Sequence, residues 1–430
     1  MQVMQDIVSA HKKGAPVGIY SVCSAHPLVI EASLRHGEAT DSMVLIEATS
    51  NQVNQDGGYT GMRPADFVAR VHAIADQVGF KRADILFGGD HLGPNCWQHL
   101  AADEAMAKSD VMIDQYVRAG FRKIHLDCSM SCADDPVPLT DAIVASRAVR
   151  LCAVAEAAWK DVGGEPPVYI IGTEVPVPGG ATEDLETLAV TSPEAAEATI
   201  LEHQRAFEAA GLGAVWPRVI GLVVQPGVEF DHHKVVDYVP EAATSLSRFI
   251  ERYPTMVFEA HSTDYQTPSA LKALVRDHFA ILKVGPGLTY ALREAILALD
   301  TIERELLGDN GASHVRRTVQ QAMQDNPVHW RKYYAESGLQ QRLDLEYSYS
   351  DRIRYYWAQP QVEEAVSRLI ANLKASPPPL TMLSQYMPEE YWAVREGRIR
   401  NSAEDLIIHR IEAVLKMYSG AAQVGETIES

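Results

Sequence analysis

The chain has 430 residues, of which 47% are hydrophobic and 22% charged, a normal balance for a globular protein. Its 38 basic and 57 acidic residues leave a net charge of −19, which excludes a general binder of the nucleic-acid backbone, since that needs a basic face. No apolar run approaches the about 18–20 residues of a membrane span. The opening MQVMQDIVSAHKKG lacks the apolar core of a signal peptide, so a cytoplasmic protein is expected, with neither nucleic acid nor membrane among its partners.

Short apolar runs alternate with amphipathic helical segments along the first three hundred residues. The runs are Gly18–Ser24, Met43–Asn51, Ile85–His91, Lys123–Ser129, Val168–Glu174, Val219–Gln225, Met256–Asp264 and Ile281–Gly287. Each ends in polar or glycine residues, the pattern of buried parallel strands. Pro64 opens a helix with Phe67, Val68, Val71, Ile74 and Val78 on one face. Ser192–Pro193 opens a second, with Gly211 as its stop, Thr267–Pro268 a third, and Ala291–Leu307 carries the last of the series. Eight βα units in a row predict a (β/α)8 TIM barrel rather than a doubly wound sheet, and the first turn, SVCSAHP, has no dinucleotide-binding glycines.

Beyond Gly308 the composition shifts to Arg, Gln and Tyr, so residues 308–430 are read as a C-terminal helical extension packed on a barrel of residues 1–307. Ser376–Pro379 is a break, and Glu389–Tyr418 is read as one final helical stretch ending at Gly420. The five cysteines, Cys23, Cys96, Cys128, Cys132 and Cys152, are odd in number and irregularly spaced. They give no disulfide framework or zinc ribbon, and Cys128 and Cys132 read as small residues at a strand end.

The active site of a barrel lies at the C-terminal ends of its strands. There the sequence places Ser24 and His26, Glu47 and Asn51, Asp90 and His91, Asp127, Glu174, Gln225, Glu259 and His261, and Lys283. Solvated charges belong on the outer helix faces, so this series points to chemistry. In GGDHLGPN, Gly88 and Gly89 are expected to bend the backbone before Asp90 and His91, one of which would bind a metal while the other transfers protons. His261 is the natural second ligand, and Glu174 or Asp127 would complete a shell for Zn, Mn, Ni or Fe. Gln225 is expected to position a substrate hydroxyl, and Asn51 and Lys283 to face the substrate. Gly285 and Gly287, with Ser262 and Thr263, form a candidate phosphate site, because barrels commonly bind phosphate after strands seven and eight. Arg352 and Arg354 lie in the aromatic segment Tyr347–Trp357, which is expected to grip a phosphate or to pack over the mouth or an interface.

With GIYSVCSAHP, LIEATSNQVNQDGGYTGM, GGDHLGPN, IHLDCSM, GTEVPVPGG, FEAHSTDYQT, KVGPGLT and YSYSDRIRYYW, the sequence closely resembles the GatZ/KbaZ family from about residue 5 to residue 415. Members are accessory, non-catalytic subunits of D-tagatose-1,6-bisphosphate aldolase, often labelled tagatose-6-phosphate kinases. The resemblance implies a subunit serving tagatose 6-phosphate, galactitol or amino-sugar catabolism. Its expected partners are a catalytic aldolase chain, a ketose or ketose phosphate, and further copies in an oligomer. By similarity to class II aldolases, Asp90 would be the proton-transfer group, His91 and His261 metal ligands, and Glu174 an acidic residue near a divalent metal. The strand-six histidine of those enzymes is replaced by Gln225-Pro-Gly227, and their glycine-serine phosphate loop by Ser262-Thr-Asp264. The alternative is an autonomous metal-dependent 4-epimerase of a ketose or ketose phosphate, with Asp90 or Glu174 taking the C4 hydroxyl proton and Asp127 beside them. A kinase is disfavoured: the sequence holds no G-x-x-x-x-G-K-[ST] and no protein-kinase motif set.

Overall fold

The computed structural model describes residues 1–172, 188–335 and 337–423. The apolar runs form β1 (Ile19–Val22), β2 (Val44–Thr49), β3 (Ile85–Leu92), β4 (Lys123–Leu126), β5 (Val168–Ile171) and β6 (Val219–Val224). A small antiparallel ribbon, β7 (Glu229–Phe230) and β8 (Val235–Val236), follows outside the barrel, before β9 (Val257–Ala260) and β10 (Ile281–Val284) complete it. The barrel closes in the order β1-β10-β9-β6-β5-β4-β3-β2 with every neighbouring pair parallel. This is the (β/α)8 fold expected from the sequence.

Side chains alternate across a strand with a period of two, and that rule sorts the barrel interior into layers. Ile19, Leu45, Leu86, Ile170, Val257 and Ile281 form an apolar floor. The helix α1 (Gln2–Lys12) plugs it from below with Met4 and Val8. Two residues further along each strand the interior turns polar, with Ser21, Glu47, Lys123, Glu259 and Lys283 all buried. Gly88 shares this layer, paired in register with Glu47 and Lys123. A Cβ there would approach the Glu47 carboxylate to 2.6 Å. Gly88 is therefore needed for room, and the irregularity expected before Asp90 and His91 falls just after Gly89, where the pairing with β4 shifts register and His91 takes φ 48°.

The outer ring comprises α2 (Pro27–Ala39), α3 (Pro64–Val78), α4 (Ala102–Ala119), α5 (Asp141–Val162), α6 (Pro193–Ala209), α7 (Pro240–Ile250), α8 (Pro268–Arg276) and α9 (Pro286–Gly311). Ser192 and Thr267 cap α6 and α8 through their hydroxyls, as expected of these residues ahead of a first-turn proline. The extension adds α10 (Val315–Asp325), α11 (Gly338–Tyr347), α12 (Pro360–Ala375), α13 (Leu380–Tyr386), α14 (Pro388–Arg395) and α15 (Ala403–Ala422). The single helix expected over Glu389–Tyr418 is two helices. Gly397, at φ 70°, adopts a left-handed conformation that ends the first, and Ser402 caps the second.

The last helix, α15, packs against α2, α8, α9 and β1, with Leu406, Ile411 and Leu415 in the core shared with the barrel. Tyr418 donates its hydroxyl to the Thr263 carbonyl at 2.8 Å, and the Gly18 N–H donates to the Ala422 carbonyl at 3.0 Å. Among the described residues no helix is long and apolar enough to cross a membrane.

One glycine ties the fold to the mouth. A Cβ at Gly93 would overlap the backbone carbonyl of Asp127, so neither β3 nor the loop after β4 can yield without moving backbone. Gly93→Ala is expected to lower stability by about 3 kcal/mol, the upper range for overpacking a tight interior. A shift in the urea midpoint of less than about a third of that would contradict the reading.

Candidate active site at the barrel mouth

Lys123, at the start of β4, lies in the middle of the barrel with no exposed surface. Its ammonium is 2.6 Å from Glu47 on one side and 2.6 Å from Glu259 on the other. Lys283, on β10, contacts Glu47 directly, and lies 3.0 Å from Asp90 and 3.8 Å from Glu259. Burial lowers the proton affinity of both ammonium groups, but the surrounding carboxylates more than offset this and both stay charged. With Asp127 included, four carboxylates face two ammonium groups, so two carboxylates have no ammonium partner; one of them, Asp127, pairs with His91, whose proton affinity Asp90 and Asp127 raise against the effect of burial.

Three imidazoles stand above this network. The ring centroids of His91, His125 and His261 are 4.9, 5.1 and 5.4 Å apart in pairs. Each ring has one nitrogen held by an oxygen of the protein. His91 Nδ1 is 2.6 Å from Asp127 Oδ2, His125 Nε2 is 2.9 Å from the Gly172 carbonyl, and His261 Nε2 is 2.9 Å from Glu259 Oε1. Rings oriented in this way by a protein oxygen on one nitrogen are the usual support for metal-binding histidines.

His125 makes the strongest case for a cation. A carbonyl accepts only a hydrogen, so Nε2 carries the proton and Nδ1 of the neutral ring is an acceptor. Nδ1 takes the His91 N–H at 3.2 Å, yet it also faces Asp90 Oδ1 at 3.0 Å. Two acceptors at that distance require a proton or a metal ion nearby. The ligand atoms that lie within 4.8 Å of one another are those of Asp90, His125, Glu259 and His261, a donor set that overlaps the three imidazoles but leaves out His91, which was expected as a ligand. Nitrogen and carboxylate donors together, with more carboxylates than ammonium groups around them, fit a divalent ion such as Zn, Mn or Ni.

The same charges set the protonation of the site. Burial would push Asp90 up, but His91, Lys283 and the His125 hydrogen bond hold its carboxyl well below the usual range. Asp127 and Glu259 are likewise held low against the cost of burial, by His91 in one case and by Lys123 and Lys283 in the other. Burial pushes His261 down to about 4, keeping its ring neutral.

Asp90, His91, His261, Ser262, Lys283, Gly285, Asn51 and Arg354 all line one mouth cavity, together with Tyr59, Asp264 and Tyr355. Glu174 lies outside the described residues. Three expected ligand-binding residues are instead committed to structure. The Gln225 side-chain oxygen accepts the N–H groups of Gly227 and Val228 at 2.8 and 2.9 Å, closing the turn after β6. Thr263 is buried, its hydroxyl donated to the Lys283 carbonyl. Arg352 stacks on Tyr333 and donates to the His329 carbonyl at 2.7 Å. The expected phosphate donors are also engaged, since Gly285 and Gly287 donate their N–H groups to Asp264 Oδ1 at 2.9 and 2.8 Å.

The segment Tyr347–Trp357 does pack over the mouth. Tyr349 lies against Tyr265 and Tyr290, while Arg354 and Tyr355 form part of the cavity wall. Arg354 donates to the Tyr355 hydroxyl at 2.9 Å, and no carboxylate among the described residues comes within 4.0 Å of it. Sequence reasoning missed His125, Lys123 and Asp264. The first two had a signal: Lys123, His125 and Asp127 alternate in KIHLD, so all three face inward once Asp127 does.

Similar proteins agree with this architecture. A crystal structure of a probable tagatose 6 phosphate kinase from Sinorhizobium meliloti 1021 is 51% identical, covers 94% of this chain and 100% of that one, and superposes with a TM-score of 0.87. A fructuronate-tagaturonate epimerase from Cohnella laeviribosi, crystallised with glycerol, shares the fold at 12% identity, with 95% of this chain and 82% of that one covered and a TM-score of 0.50. Over residues 4–423 the sequence matches the family described as D-tagatose-1,6-bisphosphate aldolase subunit GatZ/KbaZ-like, and the chain belongs to that family.

Proposed function

We propose that this chain is the barrel subunit of a tagatose-bisphosphate-type aldolase system and that its own mouth is a working metal and ketose site. The observation that carries the reading is the set of three oriented imidazoles beside a buried, ionised Asp90. His91, His125 and His261 would hold a divalent ion, with Asp127, the Gly172 carbonyl and Glu259 fixing their rings. Such an ion supplies Lewis-acid polarisation of a ketose carbonyl at C2.

The chain's own residues do the rest. Asp90 is kept ionised by Lys283 and His125, so it can take the C4 hydroxyl proton as the C3–C4 bond opens. Lys123 and Lys283 hold Glu47 and Glu259 so that charge near the reacting carbons stays fixed. If the aldehyde fragment leaves, the reaction is aldol cleavage, carried out beside a catalytic aldolase chain that this subunit supports. If the fragment turns and recloses, the product is the C4 epimer, which is the difference between fructose and tagatose. That second reading, an autonomous 4-epimerase, is favoured by one feature: every group the chemistry needs lies within a single chain. A kinase is not favoured, because the N–H pair at the start of α9, the natural place for a phosphate cradle, is engaged by Asp264.

Metal analysis tests the ligands. Purified protein should carry one divalent ion per chain, and His125→Ala and His261→Ala should each lose it. His91→Ala decides between the two donor sets: loss of the ion supports the three-imidazole set, and full retention shifts the site to Asp90 and Glu259.

Asp90→Asn tests the chemistry. The amide keeps the shape of the side chain but cannot accept the proton, so turnover should fall roughly 10²–10⁴-fold with the fold unchanged. The assay follows cleavage and C4 epimerisation of fructose, tagatose and their phosphates by the chain alone, alongside stimulation of a catalytic aldolase chain. Stimulation untouched by Asp90→Asn, with no activity from the chain alone, would reduce the subunit to a support and sink the working-site reading.

A further inference from the structure

In the mouth wall lies the start of α9, Gly285-Pro286-Gly287. Barrels commonly receive a substrate phosphate here, where free N–H groups and the positive end of a helix dipole meet an anion. In this chain the anion is already part of the protein. Asp264, buried and lining the same cavity, places Oδ1 on the N–H groups of both Gly285 and Gly287. Glycine at 287 makes this possible, because a Cβ there would sit 3.0 Å from that oxygen.

A phosphate can take this place only by displacing Asp264. The carboxylate would then be buried, stripped of two hydrogen bonds, and next to a like charge. The two cations that line this cavity are already in use: Lys283 is engaged with Glu47 and Asp90, and the charge of Arg354 already acts on Asp264 itself. A terminal hydroxymethyl group has the opposite requirement: it is neutral, and its hydroxyl hydrogen needs an acceptor.

We propose that Asp264 is a specificity-determining residue that keeps phosphate out of the α9 end of the site and accepts a hydroxyl from the unphosphorylated terminus of a ketose. The inference rests on the mouth being a ketose site, and it narrows the substrate class to ketoses that are not phosphorylated at this end.

The test is calorimetric titration of inorganic phosphate at pH 8 into wild type, Asp264→Gly and Asp264→Asn, followed by the same titrations with an unphosphorylated ketose and its 1-phosphate and 6-phosphate. Asp264→Gly should bind phosphate at least about tenfold more tightly than wild type, since like-charge juxtaposition costs several kcal/mol and 1.4 kcal/mol is tenfold. Asp264→Asn keeps an oxygen for both N–H groups and removes only the charge, so it should gain phosphate affinity too and carries the test if the glycine variant does not fold. Preference for the unphosphorylated ketose over one of its phosphates should fall in both variants. Wild type binding phosphate as tightly as the variants would overturn the proposal. If wild type binds no ketose at all, the sugar reading of the mouth fails, while the phosphate titration still reports on Asp264.

Discussion

The Lys123 ammonium, clamped between Glu47 and Glu259 in the barrel interior, is the interaction on which the rest of the mouth depends. Taking these charges out of water costs several kcal/mol per ion, and removing one partner of such a set costs about 3–5 kcal/mol because it leaves a buried charge unpaired. Hydrophobic residues of similar volume would fill a barrel at least as well. The network therefore earns no explanation from stability alone, and its geometry has consequences only upward. Glu47 fixed by Lys123 receives Lys283, Lys283 reaches Asp90, and Asp90 stays ionised under the imidazoles. Glu259, held from below by the same lysine, turns His261.

This chain of contacts also explains two features of the backbone. Gly88 lacks a side chain because Glu47 occupies the space. The period of two then does the sorting: one step below Glu259 the interior is apolar at Val257, and one step above Lys123 and Glu259 it carries the imidazoles of His125 and His261. The plug of α1 below and the Tyr347–Trp357 segment above shut the two ends.

The fold was legible in the sequence because eight β-branched runs punctuated by turn residues admit few other closures. The location of the site followed from the barrel rule, and Asp90, His91, His261 and Lys283 do meet in one cavity. What the sequence concealed was commitment. Nothing in Gln225, Thr263 or Arg352 distinguishes a side chain that greets a ligand from one that closes a turn, and only the distances to Gly227, Lys283 and Tyr333 reveal which it is. Gly285 and Gly287 looked like open donors because Asp264, some twenty residues earlier, cannot be seen from a local motif. His125 was passed over for the opposite reason: it stands inside an apolar run, where a lone histidine usually reads as core.

Backbone strain bears on whether the mouth does chemistry. Outside glycine, a positive φ is uncommon and costs energy, so it persists where the surroundings impose it. Here His91, Ser262, Tyr265 and Asp351 all adopt it, at φ 48°, 52°, 66° and 44°. His91 and Ser262 line the cavity, Tyr265 packs on Tyr349 above it, and Asp351 anchors Thr289 in α9 beneath the same segment. Four further non-glycine residues, Asp41, His278, His314 and Gln423, also adopt it without lining this cavity, so positive φ is shared between the mouth and the rest of the chain. At His91 and Ser262 it adds to the two carboxylates without an ammonium partner as support for the proposed ligand site.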